Sequence, residues 1–244
     1  MTALSWLSQG SALWYLNRAT GLVDLVLFTL VVVMGVVATA RTAPRWWPRF
    51  ATVSLHRWLS LLAVALLGVH VAAAVMDSYV DLHWLDVVVP FASSYRTFWL
   101  GLGTIAFDLF AAVVITSLAR HRIGPRTWRT VHLLAYAAWP VAVVHGLGTG
   151  TDASTLPVIA LTFACVTVVA MAAAWRASML NVVWPGRLAL VALALLLPVW
   201  LGSWARIGPL QPDWSKRAAV APSTSVVVPS SAIVAQHASP GESE

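Results

Sequence analysis

Four of the seven histidines in this chain stand in long apolar runs, and their spacing is the feature of the sequence that can do chemistry. His56 and His70 lie fourteen residues apart in LHRWLSLLAVALLGVHVAAAVMD, which runs from Leu55 to Asp77. His132 and His145 lie thirteen apart in WRTVHLLAYAAWPVAVVHGLG, from Trp128 to Gly148. An ionisable side chain inside a membrane-length apolar run is costly and needs a partner there. For a single histidine, that partner is as readily a hydrogen bond to a neighbouring helix as a metal.

The elements that must position these residues are membrane helices. Of the 244 residues, 59% are hydrophobic and 10% charged, whereas soluble domains carry roughly 25% charged residues. By the requirement of about 20 apolar residues per crossing, six spans are expected, over 14–40, 53–76, 98–118, 128–147, 156–175 and 188–204. The expected organisation is an all-α, polytopic membrane protein. It has a short segment 1–12, a six-helix domain 13–206 and an extramembrane tail 207–244 whose Ala, Val, Pro and Ser content reads as disordered. The N-terminus shows no basic n-region or small-residue cleavage site, so the first span is expected to remain in the mature protein.

Charge sorts the loops. Arg41, Arg45, Arg49, Arg57, Arg120, Arg122, Arg126, Arg129, Arg176 and Arg187 fall in or beside the odd loops, while Asp77, Asp81, Asp86 and Asp152 fall in the even ones. The positive-inside rule then makes the odd loops cytoplasmic and both termini extracytoplasmic, in the plasma membrane of the cell. Lys216 and Arg217, after the last span, run against this. The net charge of +6 is scattered in short clusters rather than along one face, which excludes a nucleic-acid partner and leaves the lipid bilayer. The lone cysteine, Cys165, excludes an intramolecular disulfide and covalent c-type haem attachment.

In this topology spans two and four run parallel. His56 then shares a depth with His132 near the cytoplasmic surface, and His70 with His145 nearer the outer one, about 21 Å away. Two depth-matched pairs suit two non-covalent b-type haems, each held by one histidine from each helix. Neutral imidazole is a good iron ligand, and bis-axial ligation favours electron transfer over oxygen binding. Facing is less simple. Fourteen residues leave His56 and His70 about 40° apart on their helix, but thirteen leave His132 and His145 about 140° apart. Pro140, between them, is a candidate to change the local twist.

Spans two to four carry RWLSLLAVALLGVH, PFASSYRTFWLGLG and IGPRTWRTVHLLAYAAWPVAVVHG, and through these the chain resembles the ferric reductase-like transmembrane domain family. That family includes NADPH oxidases, ferric reductases and the haem-bearing membrane subunit of a bacterial methionine sulfoxide reductase system. The resemblance covers about 13–175. It implies two b-type haems passing electrons across the membrane, with His56, His70, His132 and His145 as the iron ligands. No Gly-rich nucleotide fingerprint or flavin domain accompanies it. A separate electron donor, a flavoprotein or a quinol, and an acceptor at the outer face are therefore expected. Two other readings remain open: a cytochrome b561-like quinol or ascorbate oxidoreductase, and a haem-free membrane scaffold.

Anionic propionates should meet arginines. Arg57 and Arg129 adjoin the inner pair, and Arg18 and Arg96 stand at the outer ends of spans one and three. Each arginine serves equally well as a lipid-phosphate anchor. Trp139, midway between the span-four histidines, matches the aromatic bridge that similar proteins place between haems, with core packing as the plainer role. Asp24 and Asp108 are intramembrane carboxylates, proton relays or protonated partners of neighbouring helices. Gly68, Gly146 and Gly148 lie close to the ligands, where a cofactor or helix can approach. His83, His121 and His237 are read as solvated.

Overall fold

The computed structural model describes residues 11–40, 48–77, 82–180 and 183–211, with Asp213, Trp214 and Lys216. The expectations for segment 1–10, for Arg41, Arg45 and Asp81, and for Arg217, His237 and the rest of the tail lie outside the described residues. Nine helices are described: α1 (Ser11–Ala40), α2 (Arg49–Met76), α3 (Trp84–Val88), α4 (Thr97–Leu118), α5 (Arg120–Ile123), α6 (Pro125–His132), α7 (Ala135–Thr149), α8 (Leu156–Ser178) and α9 (Trp184–Ile207). Among the described residues, six stretches are long and apolar enough to cross a bilayer: Ala12–Thr39, Phe50–Met76, Thr97–Leu118, Pro125–Thr149, Leu156–Ser178 and Trp184–Ile207. Each expected span coincides with one of these, with boundaries that agree to within four residues. The protein is an all-helical, multi-pass membrane bundle.

Prolines set several of the helix starts. Pro48 precedes α2, Pro125 opens α6, and Pro157 and Pro185 stand second in α8 and α9. Proline there removes only an N–H that would lack an intrahelical acceptor anyway, and its fixed φ suits the first turn. Asp77 and Asp86 lie at the end of the bundle between spans two and three, with Asp152 between spans four and five. This is the acidic end, and the arginine-bearing loops lie at the opposite, basic end.

The fourth span is not one continuous helix. Between α6 and α7, Leu134 N–H donates to Val131 O, Tyr136 N–H to Leu133 O and Ala137 N–H to Leu134 O, at 2.9, 3.0 and 3.0 Å. These are three-residue steps, tighter than the four-residue steps of an α-helix. A 3₁₀ step turns the chain by about 120° instead of about 100°, so three of them bring His132 and His145 from about 140° apart to about 80°. The overwound turn sits at Leu133–Leu134. Pro140, the residue expected to change the twist, lies within α7 itself.

Packing leaves the two histidine-bearing spans apart. α2 packs chiefly on α1, and α7 on α4, while α1 also packs on α8 and α7. The core runs through Phe28, Val32, Ala63, Phe110, Ala138, Trp139, Val143 and Leu147. At the acidic end the first residues after α9 lie against the bundle. Pro209 is fully buried and Trp214 packs on Trp99, with ring centres 5.4 Å apart.

The α4–α7 contact tolerates no Cβ at Gly148, because one would run into the ring of Trp99. Gly148→Ala should therefore cost about 1–3 kcal/mol, as overpacking does. A lower midpoint of thermal unfolding in detergent checks this, and an unchanged midpoint would contradict the packing.

Candidate functional site

The four histidines come together as two pairs. His56 and His132 face each other with ring centres 6.3 Å apart and planes at 67°. Two imidazoles on opposite sides of one metal ion, with bonds of about 2.0–2.1 Å and about 1 Å more to each ring centre, stand about 6 Å apart. His70 and His145 line a common cavity of about 290 Å³ that begins at His83 and Asp86 and reaches Phe28, Phe110 and Trp139. Most of the wall of this cavity comes from α1, α2, α4 and α7, with α3 and α8 adding Asp86, Val87, Val158 and Thr162.

Three of the four rings are tied to backbone carbonyls of a neighbouring helix. His56 Nδ1 donates to Val31 O at 3.1 Å, His70 Nδ1 to Asn17 O at 2.9 Å and His145 Nδ1 to Trp99 O at 2.8 Å. A carbonyl only accepts, so Nδ1 carries the hydrogen and Nε2 is left with a free lone pair, the tautomer a metal-binding histidine uses. Asn17 completes a clamp by donating its side-chain amide to His70 O at 3.0 Å. His132 differs: its Nδ1 is buried and meets no partner among the described residues, while its ring lies 5.1 Å from that of Trp128.

The remaining expected site residues divide by surroundings. Arg18 lines the cavity beside His70 and His145 and pairs with Asp152. Arg96 is buried and donates to Gly148 O at 3.2 Å and Thr149 O at 2.7 Å, so it caps the end of α7. Basic groups suit the carbonyl end of a helix for this reason. Arg57 and Arg129 are both exposed, and Arg57 reaches over Trp58. Trp139 is buried on the cavity wall, and its indole N–H donates to Thr29 Oγ1 at 3.1 Å. His83 caps α3 at the cavity rim, and His121 is exposed.

Sequence reasoning missed several residues. Phe28 and Phe110 stack with ring centres 4.2 Å apart and close the deep end of the cavity beside Trp139. Helical spacing alone marks them only as core. The glycines in contact with the rings are not those neighbouring the histidines in sequence. A Cβ on Gly68 or Gly146 would meet nothing within 4 Å, whereas one on Gly21 or Gly103 would press on His70 or His145.

The family model for the ferric reductase like transmembrane component matches residues 20–143, just over half of the chain. The chain belongs to the ferric reductase-like transmembrane family. The matched segment is narrower than the expected 13–175. It holds His56, His70 and His132 and stops two residues before His145. Neither a curated protein nor a solved structure matches the chain. Membership in this ferric reductase-like family makes the protein a membrane component of oxidoreductase, electron-transfer type.

Asp24 lines the cavity and is buried, yet among the described residues neither of its carboxylate oxygens meets a donor. An unpartnered buried carboxylate opposes folding. Asp24→Asn should accordingly leave the thermal unfolding midpoint equal or raised. A drop equivalent to more than about 1 kcal/mol, the scale of a broken hydrogen bond, would show that Asp24 holds a partner.

Proposed function

We propose that this chain is a transmembrane electron carrier that holds two b-type haems, one between His56 and His132 and one between His70 and His145. The observation that carries the reading is the set of opposed histidines, one pair at 6.3 Å and the other sharing a cavity, with three of four Nδ1 atoms already bonded. The donor set fits this cofactor. Among the described residues no three His, Cys, Asp or Glu side chains gather to hold a bare ion, and each level offers only two imidazoles. A porphyrin brings its own four nitrogens and needs two axial ligands from the protein. The family commonly binds haem. When bound, haem iron supplies a one-electron couple.

The protein's own residues do the rest. His56, His132, His70 and His145 would hold haem iron through Nε2, and with two imidazoles on each iron no position would be left for a small ligand. Arg18, on the cavity wall, is placed to meet an anionic edge at the acidic end, with Asp152 sharing its charge. Phe28, Phe110 and Trp139 form an apolar, aromatic wall at the deep end of the His70/His145 cavity and exclude water there. The exposed Arg57 and Arg129 are placed for the edge of the other site or for lipid phosphate. With the basic end cytoplasmic and both termini extracytoplasmic, haem held by His56 and His132 would face a separate flavoprotein or quinol donor, and haem held by His70 and His145 would face an acceptor at the outer face of the plasma membrane. The haem-bearing unit is residues 13–206.

His70→Ala tests this. The purified protein should bind two haems per chain and show a reduced-minus-oxidised b-type spectrum. The variant should keep about one haem, with the His56/His132 signal unchanged. Two haems retained in His70→Ala would overturn the pairing, and a wild-type protein without haem would overturn the function.

A further inference from the structure

The three bonded histidines share one local device. His56, His70 and His145 donate from Nδ1 to the carbonyls of Val31, Asn17 and Trp99. In every case the residue four positions further along the accepting helix is glycine: Gly35, Gly21 and Gly103. Glycine makes up only 14 of the 244 residues, so composition does not account for three coincidences out of three.

The physical reason lies in helix geometry. The N–H of residue i+4 already donates to the carbonyl of residue i, so a ring sharing that carbonyl must lie against residue i+4. A Cβ would stand 2.5 Å from His145 Cε1 at position 103, 3.0 Å from His70 Cε1 at position 21 and 3.6 Å from His56 Cε1 at position 35. Only the first is closer than a side chain tolerates; the second is tight enough that the His70 ring must shift by a few tenths of an ångström, and the third is ordinary contact. Gly21 and Gly35 are fourteen residues apart on α1, the separation of His56 and His70 on α2, and in reverse order. α1 thus carries a negative imprint of the histidines on its antiparallel neighbour.

His132 breaks the pattern. Thirteen and fourteen residues beyond Gly103 on α4 stand Thr116 and Ser117. Thr116 Oγ1 donates back to Ala112 O at 2.7 Å, and Ser117 Oγ accepts from Trp128 Nε1 at 3.3 Å. No glycine opens a carbonyl there, and His132 Nδ1 has no partner.

We propose that Gly21 and Gly103 are positioning residues for the paired histidines. Each opens a carbonyl notch that fixes its ring plane and its Nδ1–H tautomer, so that Nε2 points into the site. The His70/His145 level is held at both rings, and the His56/His132 level at one only. Where it speaks of bound haem, this inference rests on the two-haem reading above.

The test compares Gly103→Ala, Gly21→Ala, Gly35→Ala and Gly68→Ala in the full-length protein, by haem stoichiometry and by the low-spin electron paramagnetic resonance signals. Gly103→Ala should fall from two haems to about one. Gly21→Ala should keep its helix content while the signal of the His70/His145 level moves. Gly35→Ala and Gly68→Ala should match wild type in both signals. If Gly103→Ala does not accumulate, Gly21→Ala decides. Unchanged signals in folded Gly21→Ala, or an equal change in Gly68→Ala, would overturn the notches. If the wild type binds no haem, the two-haem reading fails by itself. ¹⁵N-histidine spectra of the haem-free protein then decide between three Nδ1–H tautomers, as expected, and any other count.

Discussion

A polar ring inside a bilayer has no water to satisfy it, and the bonds from three histidines to backbone carbonyls are the answer on which this bundle depends. Each bond joins two helices: α2 to α1 twice, and α7 to α4 once. These are also the two helix pairs that pack most extensively. The bundle is therefore assembled as two clamped pairs, with the histidine edges turned toward the space between. A site built on such clamps keeps its ligand atoms free because the other nitrogen of each ring is already engaged.

The two levels are built unequally. His70 and His145 are each bonded, share a cavity and lie beside Arg18. His132 has no bond at Nδ1 and sits at the end of α6, immediately before the overwound turn at Leu133–Leu134. That turn narrows the facing mismatch posed by a thirteen-residue spacing, and it does so at the less anchored level. Aromatic side chains from α1, α4 and α7 close the deep end of the cavity, so the stacked Phe28 and Phe110 belong to the site as much as Trp139 does.

Much of this was legible in the sequence. Six apolar runs of membrane length and the 14 and 13 spacings of paired histidines are one-dimensional signals, and they survive in three dimensions because helix rise governs them. What was not legible depends on contact between helices. The sequence draws attention to Gly68 and Gly146 because they neighbour the histidines, yet the close approaches are made by Gly21 and Gly103 on other helices. Arg96 looks free to meet an anion until α7 ends against it and its guanidinium takes two carbonyls. Pro140 is a conspicuous helix breaker in the sequence, but the tightened steps lie upstream of it. The packing of Trp214 on Trp99 is likewise a tertiary fact that a tail of mixed composition conceals.

The central claim is that four imidazoles form two bis-axial sites. Electron paramagnetic resonance of the oxidised wild-type protein tests it most directly. Two low-spin ferric signals of bis-histidine type, together equal to two haems per chain, are expected. A high-spin ferric signal as the main species would mean an open or different axial position, and would contradict it.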